Sequence, residues 1–342
     1  MAVAHRAAHG ASRTPAPHHT NQTFNESKTL VICKEFPMNS TFRGVIPPVV
    51  TPLTEDRSFD RPSFNRNIER LIDAGVNGLF FLGSSGEVAF STDERRDEIV
   101  KAAIEQVAGR VPVLVGCIDT ETERVIEHAR RAQKLGADAI VATAPFYALG
   151  GMTEVEQHFR LIHEAVDLPL FAYDIPVCVH TKLPVDMLVR LGKDGVLAGV
   201  KDSSGDDVSF RFLIQDNEDA GHPLQLLTGH EVVVDGAYLA GADGSVPGLA
   251  NVNPEVYVRQ WKAFQNDDWK GVREAQEEAA RLMRIVMVTD GVSGFGAGVG
   301  AFKTAMKLLG VFESNQMPNP VAALEGDNVK AIEKVLKDVG ML

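Results

Sequence analysis

Cysteine is scarce in this chain, with Cys33, Cys117 and Cys178 the only three in 342 residues. Widely spaced and odd in number, they make neither a disulfide framework nor a zinc pattern of the CxxC type, and a reducing, cytoplasmic compartment is expected. Basic charge is also short, with 34 lysines and arginines against 46 acids and a formal net charge of −12. Nucleic acid and anionic membrane are both met by basic patches, so this balance excludes them as partners and favours a small molecule. No apolar run approaches the ~18 to 20 residues that cross a bilayer, so no membrane span is expected. Paired metal ligands are missing as well. His158 and His163 are five apart, about 140° around a predicted helix rather than on one face, and no metal site is expected.

What is present is ordinary globular composition, 44% hydrophobic and 23% charged. Residues 1–37 are rich in Ala, His, Ser, Thr and Pro without hydrophobic periodicity and read as a disordered tail. Met38, opening "MNSTFRGVIPPVV", is an alternative start that would make the preceding residues an extension. From residue 44 onward, strand-length apolar runs alternate with helical periods. Strands are predicted at 44–50, 78–83, 111–116, 138–143, 169–174, 197–202, 224–229 and 244–249, with helices over 61–75, 92–109 and 120–136 among those between. The runs are nearly continuous Val, Ile, Leu, Phe and Ala, as in parallel strands covered on both faces. Eight such units predict an α/β fold, a (β/α)8 TIM barrel over 38–267 with a C-terminal helical extension over 268–342. An open doubly wound sheet is the runner-up, but GxGxxG does not follow the first strand. The glycine-rich "GVSGFGAGVG" at 291–300 is read as a loop before the helix "AFKTAMKLLG".

In a parallel barrel all strand C-termini open on one face, so groups just beyond them converge. Strand two is followed by "GSSGE" (Gly83, Ser84, Ser85, Gly86, Glu87) and strand four by "APFY", ending in Tyr147. Strand five ends in Tyr173 and Asp174, strand six in Lys201, and strand seven runs into "TGHE", with Gly229 and Glu231. A lone lysine at a strand end is normally a solvated charge. Lys201 follows "LAGV", so its stem starts in an apolar interior, where desolvation favours the free amine that attacks a carbonyl. The tyrosines suit half-buried core positions or, with a nearby serine hydroxyl, a proton relay. "GSSG" suits a tight βα turn equally with a carboxylate cradle of bare amides and hydroxyls, and the residues alone leave both open. An imine-forming lysine beside such a cradle indicates a 2-oxo acid, with the iminium as electron sink and no other cofactor.

These blocks, "GVIPPVVTPL", "GLFFLGSSGE", "VPVLVG", "LGADAIVATAPFY", "YDIP", "GVKDSSGD" and "LAGADGSVPGLANVNPE", resemble the dihydrodipicolinate synthase and N-acetylneuraminate lyase family of pyruvate-type class I aldolases, in order and at family spacing from about residue 43 onward. The resemblance implies that Lys201 forms the imine and Tyr173 is the central proton donor and acceptor. It further implies that Ser84 links Tyr173 to Tyr147, which in the family often reaches in from a neighbouring subunit. Ser85, with the loop amides of Gly83 and Gly86, would hold the carboxylate. A homotetramer is likewise implied.

Departures concern the distal half of the substrate. The synthase branch carries an arginine five residues after the active tyrosine; here that position is Cys178, which cannot pair with a carboxylate and is read as a small buried hydrophobe. The lyase branch surrounds sugar hydroxyls with two acids and a serine; here Glu231 is followed by Val232, and Gly248 stands at the serine position. The family's "YN" is "YD". His180, Lys182 and Glu231 are the remaining polar candidates. The expected activity is aldol cleavage of a 2-oxo-3-deoxy sugar acid or 4-hydroxy-2-oxo acid to pyruvate and an aldehyde. Alternatives are a Schiff-base dehydratase or hydratase-aldolase, 4-hydroxy-tetrahydrodipicolinate synthesis, or an oxo-acid-binding protein without catalysis.

Overall fold

The computed structural model describes residues 42–342, so the expectations for the 1–37 tail, the Met38 start and Cys33 fall outside the described residues. Eight parallel strands form one sheet: β1 (Gly44–Val45), β2 (Leu79–Phe81), β3 (Val113–Gly116), β4 (Ala139–Thr143), β5 (Leu170–Asp174), β6 (Gly199–Asp202), β7 (Gln225–Thr228) and β8 (Gly244–Ser245). From β2 to β8 each pairs with the next in sequence, and β8 pairs with β1, so that β1 and β2 are the ends of the sheet. The sheet curls until its ends meet at a parallel bridge between Pro48 and Phe80. The fold is a (β/α)8 TIM barrel with further helices after it.

The first strand is much shorter than the predicted 44–50, and proline explains why. Pro47 and Pro48 have no N–H to give a ladder. The segment instead reaches β2 through the Val49 amide on the Phe80 carbonyl (2.8 Å) and the Phe80 amide on the Pro47 carbonyl (3.0 Å). The last strand is cut likewise: Pro247 follows Ser245 by two positions, and Gly248–Asn251 winds into a 3₁₀ turn.

Helices begin and end where their caps stand. Asp60 accepts from the Ser63 amide at the start of Arg61–Ala74, which stops at Gly75 in the left-handed region (φ 90°). Phe64, Ile68 and Leu71, at helical spacing, bury its inner face. At the N-terminal end of the barrel Phe42 packs edge-on against Phe171, ring centres 5.4 Å apart, and plugs the interior.

After β8 come Pro254–Gln265, Trp269–Leu282, Gly294–Ala297, Val299–Leu308 and Gly326–Asp338. The glycine-rich run is therefore not simply a loop. It holds one helical turn and the start of the next helix, fastened by Phe295 packing edge-on against Phe90 at 5.2 Å. His158 is a satisfied core histidine: Nδ1 bonds the Thr122 hydroxyl (3.0 Å), Nε2 the Thr143 carbonyl (3.1 Å), and burial lowers its pKa to about 4. Among the described residues no group of three His, Cys, Asp or Glu could hold a metal ion, and no helix is long and apolar enough to cross a membrane.

Candidate functional site

Strand register places the site. Tyr173 on β5 pairs with Lys201 on β6, so their side chains project to the same side of the sheet. That side is the barrel interior, because Phe80, from β2 across the barrel, meets both. Its ring lies edge-on to Tyr173 at 6.4 Å, and Lys201 Nζ sits 5.0 Å from its centre. Lys201 Nζ is closer still to the Tyr173 ring, 4.1 Å from the centre. The amine thus stands on two aromatic faces, buried to 6% exposure, beside a tyrosine at 3%. Ser84 Oγ lies 3.4 Å from Tyr173 Oη, which joins the strand-two loop to the pair.

Gly229 makes room for the lysine. A methyl group there would fall 3.1 Å from Lys201 Cε and 2.1 Å from Ser203 Oγ, so it would turn the Ser203 hydroxyl away and crowd the lysine stem. The "GSSG" loop is a tight turn: the Glu87 amide donates to the Ser84 carbonyl (3.0 Å), and Gly83 and Gly86 pack against the Phe80 ring and the Leu82 backbone. The same turn carries Ser85 to the mouth, so the turn and the cradle are compatible. Added atoms at Gly248 would meet Ser85 Oγ at 3.1 Å and Glu231 Oε1 at 3.2 Å, which makes Ser85, Gly248 and Glu231 one contiguous wall.

Glu231 is held firmly in that wall. Oε1 accepts from the Leu249 amide at 2.6 Å, and the backbone carbonyl accepts from Tyr257 Oη (3.3 Å) and Gln276 Nε2 (3.1 Å). The residue is half-buried overall but its carboxyl is enclosed, and burial raises its pKa against the Leu249 amide and the Lys201 charge. Cys178 is exposed, but partial desolvation of its sulfur raises the thiol's pKa, and the same Lys201 charge opposes that rise. Glu231 and Cys178 therefore both stand within electrostatic reach of the amine.

Two placements differ from expectation. Cys178 is exposed rather than buried, because the short helix Pro176–Val179 lifts it while Val179 takes the inward position. Lys182 does not face the substrate side. It pairs with Asp174 Oδ2 and lies 3.7 Å from Asp202 Oδ2, on the outer face of β5 and β6. Tyr147, expected to reach in from a neighbouring subunit, is 94% exposed on this chain, with φ 78°. His180 caps the short helix with φ 58° and is exposed.

Sequence reasoning passed over Phe80, the floor beneath the amine, and Thr143, which pairs in register with Tyr173 and whose buried hydroxyl has no hydrogen-bond partner among the described residues. Strand alternation across neighbouring strands was the available signal for both. Surface hollows of about 520 and 790 Å³ lie away from the mouth. One is between helices Met152–Ala165 and Val185–Lys193, and the other lies against Val299–Leu308.

The dihydrodipicolinate synthetase family pattern matches residues 41–339. A DapA-like lyase from Halobacterium salinarum is 34% identical over 304 residues, covering 87% of this chain and 94% of its own. A 4-hydroxy-tetrahydrodipicolinate synthase from Polynucleobacter asymbioticus is 31% identical over 249 residues, 72% of this chain and 81% of its own. Among solved structures, YagE, a prophage protein of the dihydrodipicolinic acid synthase family from E. coli K12 in complex with pyruvate, superimposes with a TM-score of 0.83 at 29% identity, covering 88% and 99% of the two chains. The dihydrodipicolinate synthase from Bacteroides thetaiotaomicron superimposes with a TM-score of 0.82 at 32% identity, covering 88% and 99%.

Proposed function

The chain belongs to the dihydrodipicolinate synthetase family and is a lyase, and from that premise we propose that it cleaves a 2-oxo-3-deoxy sugar acid or related 4-hydroxy-2-oxo acid to pyruvate and an aldehyde, reversibly, through an imine on Lys201. The observation that carries this is the packing of Lys201 Nζ 4.1 Å from the Tyr173 ring, with Ser84 Oγ 3.4 Å from the phenol oxygen. The amine adds to the 2-oxo carbon, and the carbinolamine loses water to an iminium. Tyr173 shuttles the protons, linked outward by Ser84. With the 2-carbon cationic, deprotonation of the 4-hydroxyl breaks the C3–C4 bond. Aldehyde leaves, and the electron pair rests in an enamine. Protonation at C3 and hydrolysis return pyruvate and the free amine, so no other cofactor is required. Ser85 and the loop amides hold the carboxylate.

Cys178 supports an aldehyde that carries no carboxylate of its own. A thiol offers no bidentate partner for a carboxylate. That speaks against the 4-hydroxy-tetrahydrodipicolinate synthase activity for which some relatives are named. A homotetramer completes the proposal, supported by the exposed Tyr147, Leu149 and Met152 on and beside one loop. A soluble, cytoplasmic enzyme is supported by the free thiols of Cys117 and Cys178.

Borohydride reduction in the presence of pyruvate, followed by peptide mass mapping, tests the reading. One reduced pyruvate on the Lys201 peptide is expected. Label elsewhere, or a Lys201→Ala protein that still turns over, overturns it. Analysis of the products separates cleavage from dehydration, since only cleavage releases an aldehyde.

A further inference from the structure

Directly after the reacting pair, β5 and β6 place a second register pair, Asp174 opposite Asp202. Because side chains alternate, Tyr173 and Lys201 point into the barrel while both acids point into the layer between strands and helices. Both carboxylates are buried, Asp174 with no exposed side-chain surface. Lys182 is the cation on them, pairing with Asp174 and reaching to 3.7 Å of Asp202. Asp202 Oδ1 already accepts from the amide and hydroxyl of Ser204 (2.9 and 2.8 Å), but among the described residues Oδ2 has no hydrogen-bond donor, so Lys182 is its compensation. Asp174 Oδ1 takes the Leu183 amide at 3.2 Å, and Lys182 Nζ lies 3.4 Å from the Leu183 carbonyl.

This cluster joins the two ends of one segment. Asp174 is its first residue, Lys182 and Leu183 its last, and between them runs Pro176–Val179 with Cys178 exposed at the mouth. Ile175, Val179 and Leu183 anchor it with apolar side chains, but they fix depth rather than register, since burial is non-directional. The ion pair supplies the direction. Burial pushes the Asp174 carboxyl up to about 6 even with Lys182 beside it. Without the lysine, two adjacent buried carboxylates face each other uncompensated, and the segment must open to admit water or one acid must protonate.

We propose that Lys182 is a positioning residue that, by closing on Asp174 and Asp202, fixes the 175–183 segment and so sets the aldehyde-side wall of the site without touching substrate. This deepens the proposed function and rests on it for the kinetic arm of its test. The division of labour is by strand face: the inward pair handles the oxo acid, and the outward pair, through Lys182, sets which aldehyde fits.

The test compares the full-length chain with Lys182→Met, which keeps the stem and removes the charge, with Lys182→Arg as the conservative variant, and with Asp174→Asn/Lys182→Met, which removes both charges should the single variant fail to fold. Pyruvate trapping on Lys201 is expected to stay within about twofold of the parent. KM for the cleaved oxo acid is expected to rise roughly tenfold with kcat changed less than about threefold, and Lys182→Arg is expected to restore most of the loss. A second readout needs no catalysis: iodoacetamide labelling of Cys178, followed by peptide mass mapping, should change in rate at least about threefold in Lys182→Met. Unchanged KM and unchanged Cys178 labelling in the folded variants overturn the proposal. So does a parallel loss of pyruvate trapping and cleavage, which would mark general damage. If the parent itself traps no pyruvate, the functional reading fails, while the labelling arm still decides whether Lys182 positions the segment.

Discussion

Replacing Lys303 with methionine tests how the helices after the barrel support the site. Lys303 Nζ lies 2.7 Å from Glu87 Oε2 and 3.0 Å from the Gln316 carbonyl, with side-chain exposures of 0% for the lysine and 3% for the glutamate. Glu87 closes the "GSSGE" turn in the left-handed region (φ 57°), so the pair ties the helix Val299–Leu308 to the loop that presents Ser84 and Ser85. A buried pair contributes little over an apolar substitute, but removing one partner strands the other charge at a cost of about 3–5 kcal/mol. Among the described residues Glu87 Oε1 has no hydrogen-bond partner, and without Lys303 only the charge of Arg95, acting at longer range, remains to offset the carboxylate. For a chain of this size about 2 °C of melting temperature accompanies each kcal/mol, so Lys303→Met should melt roughly 6–10 °C below the parent.

The pH dependence carries a sign. Burial holds the Glu87 carboxyl above its ordinary value, and Lys303 pulls it down. Removing Lys303 raises it further, so the folded variant favours protonated Glu87 more than the unfolded chain does. Such a group stabilises below its unfolded pKa and loses that contribution as pH rises through the folded one. The deficit of Lys303→Met should therefore be largest near pH 8 and shrink toward about pH 5, while Glu87→Gln/Lys303→Met recovers most of it at both. Melting followed by circular dichroism at the two pH values reads this out. A deficit under about 1 °C, or one that grows on acidification, would refute the reasoning.

Two further outcomes follow from the same geometry. Gly229→Ala puts a methyl group 3.1 Å from Lys201 Cε and 2.1 Å from Ser203 Oγ, so the Ser203 hydroxyl must turn away and the lysine stem is crowded. The fold should lose about 1–3 kcal/mol while borohydride-trapped imine forms at least roughly tenfold more slowly; trapping at the parental rate would contradict the packing argument. Tyr147→Phe should turn over slowly and Lys201→Ala not at all. If the tyrosine serves a neighbour's site, co-expressed mixed oligomers should regain about a quarter of parental activity, and activity no greater than the separately prepared variants' would rule that out.

Which features were legible in the amino-acid order follows from how local their causes are. Strands covered on both faces read as apolar runs, and their number and order were visible; their ends were not, where Pro47, Pro48 and Pro247 withdraw donors from the ladder. Lys201, Tyr173 and Ser84 could be singled out because a parallel barrel sends every strand end to one face. Cys178 and Lys182 were misjudged for the opposite reason. Their environments are made by partners that sequence spacing does not reveal: a four-residue helix that turns the thiol outward, and a carboxylate brought in by strand register from position 202. The adjacency of Ser85, Gly248 and Glu231 likewise depends on three separate loops meeting, which only the folded chain displays.

The two faces of β5 and β6 give the proposed chemistry and the proposed specificity separate supports. Consecutive residues on a strand point oppositely, so Tyr173 and Asp174, one peptide apart, act in different layers, and so do Lys201 and Asp202. A change at 178, 182 or 231 alters what surrounds the aldehyde and leaves the amine on its two aromatic faces. A change at Phe80, Gly229 or Ser84 disturbs the amine or its proton path whatever the aldehyde. Substitutions should thus fall into two groups by readout, one moving pyruvate trapping and the other only the choice of oxo acid. Glu231 is the instructive borderline case, because its carboxylate shares a wall with Ser85 and its field with Lys201. Glu231→Gln removes the charge and retains an acceptor for the Leu249 amide, so oxo-acid selectivity should relax while trapping persists. Equal loss of both would show that the wall and the amine are one unit.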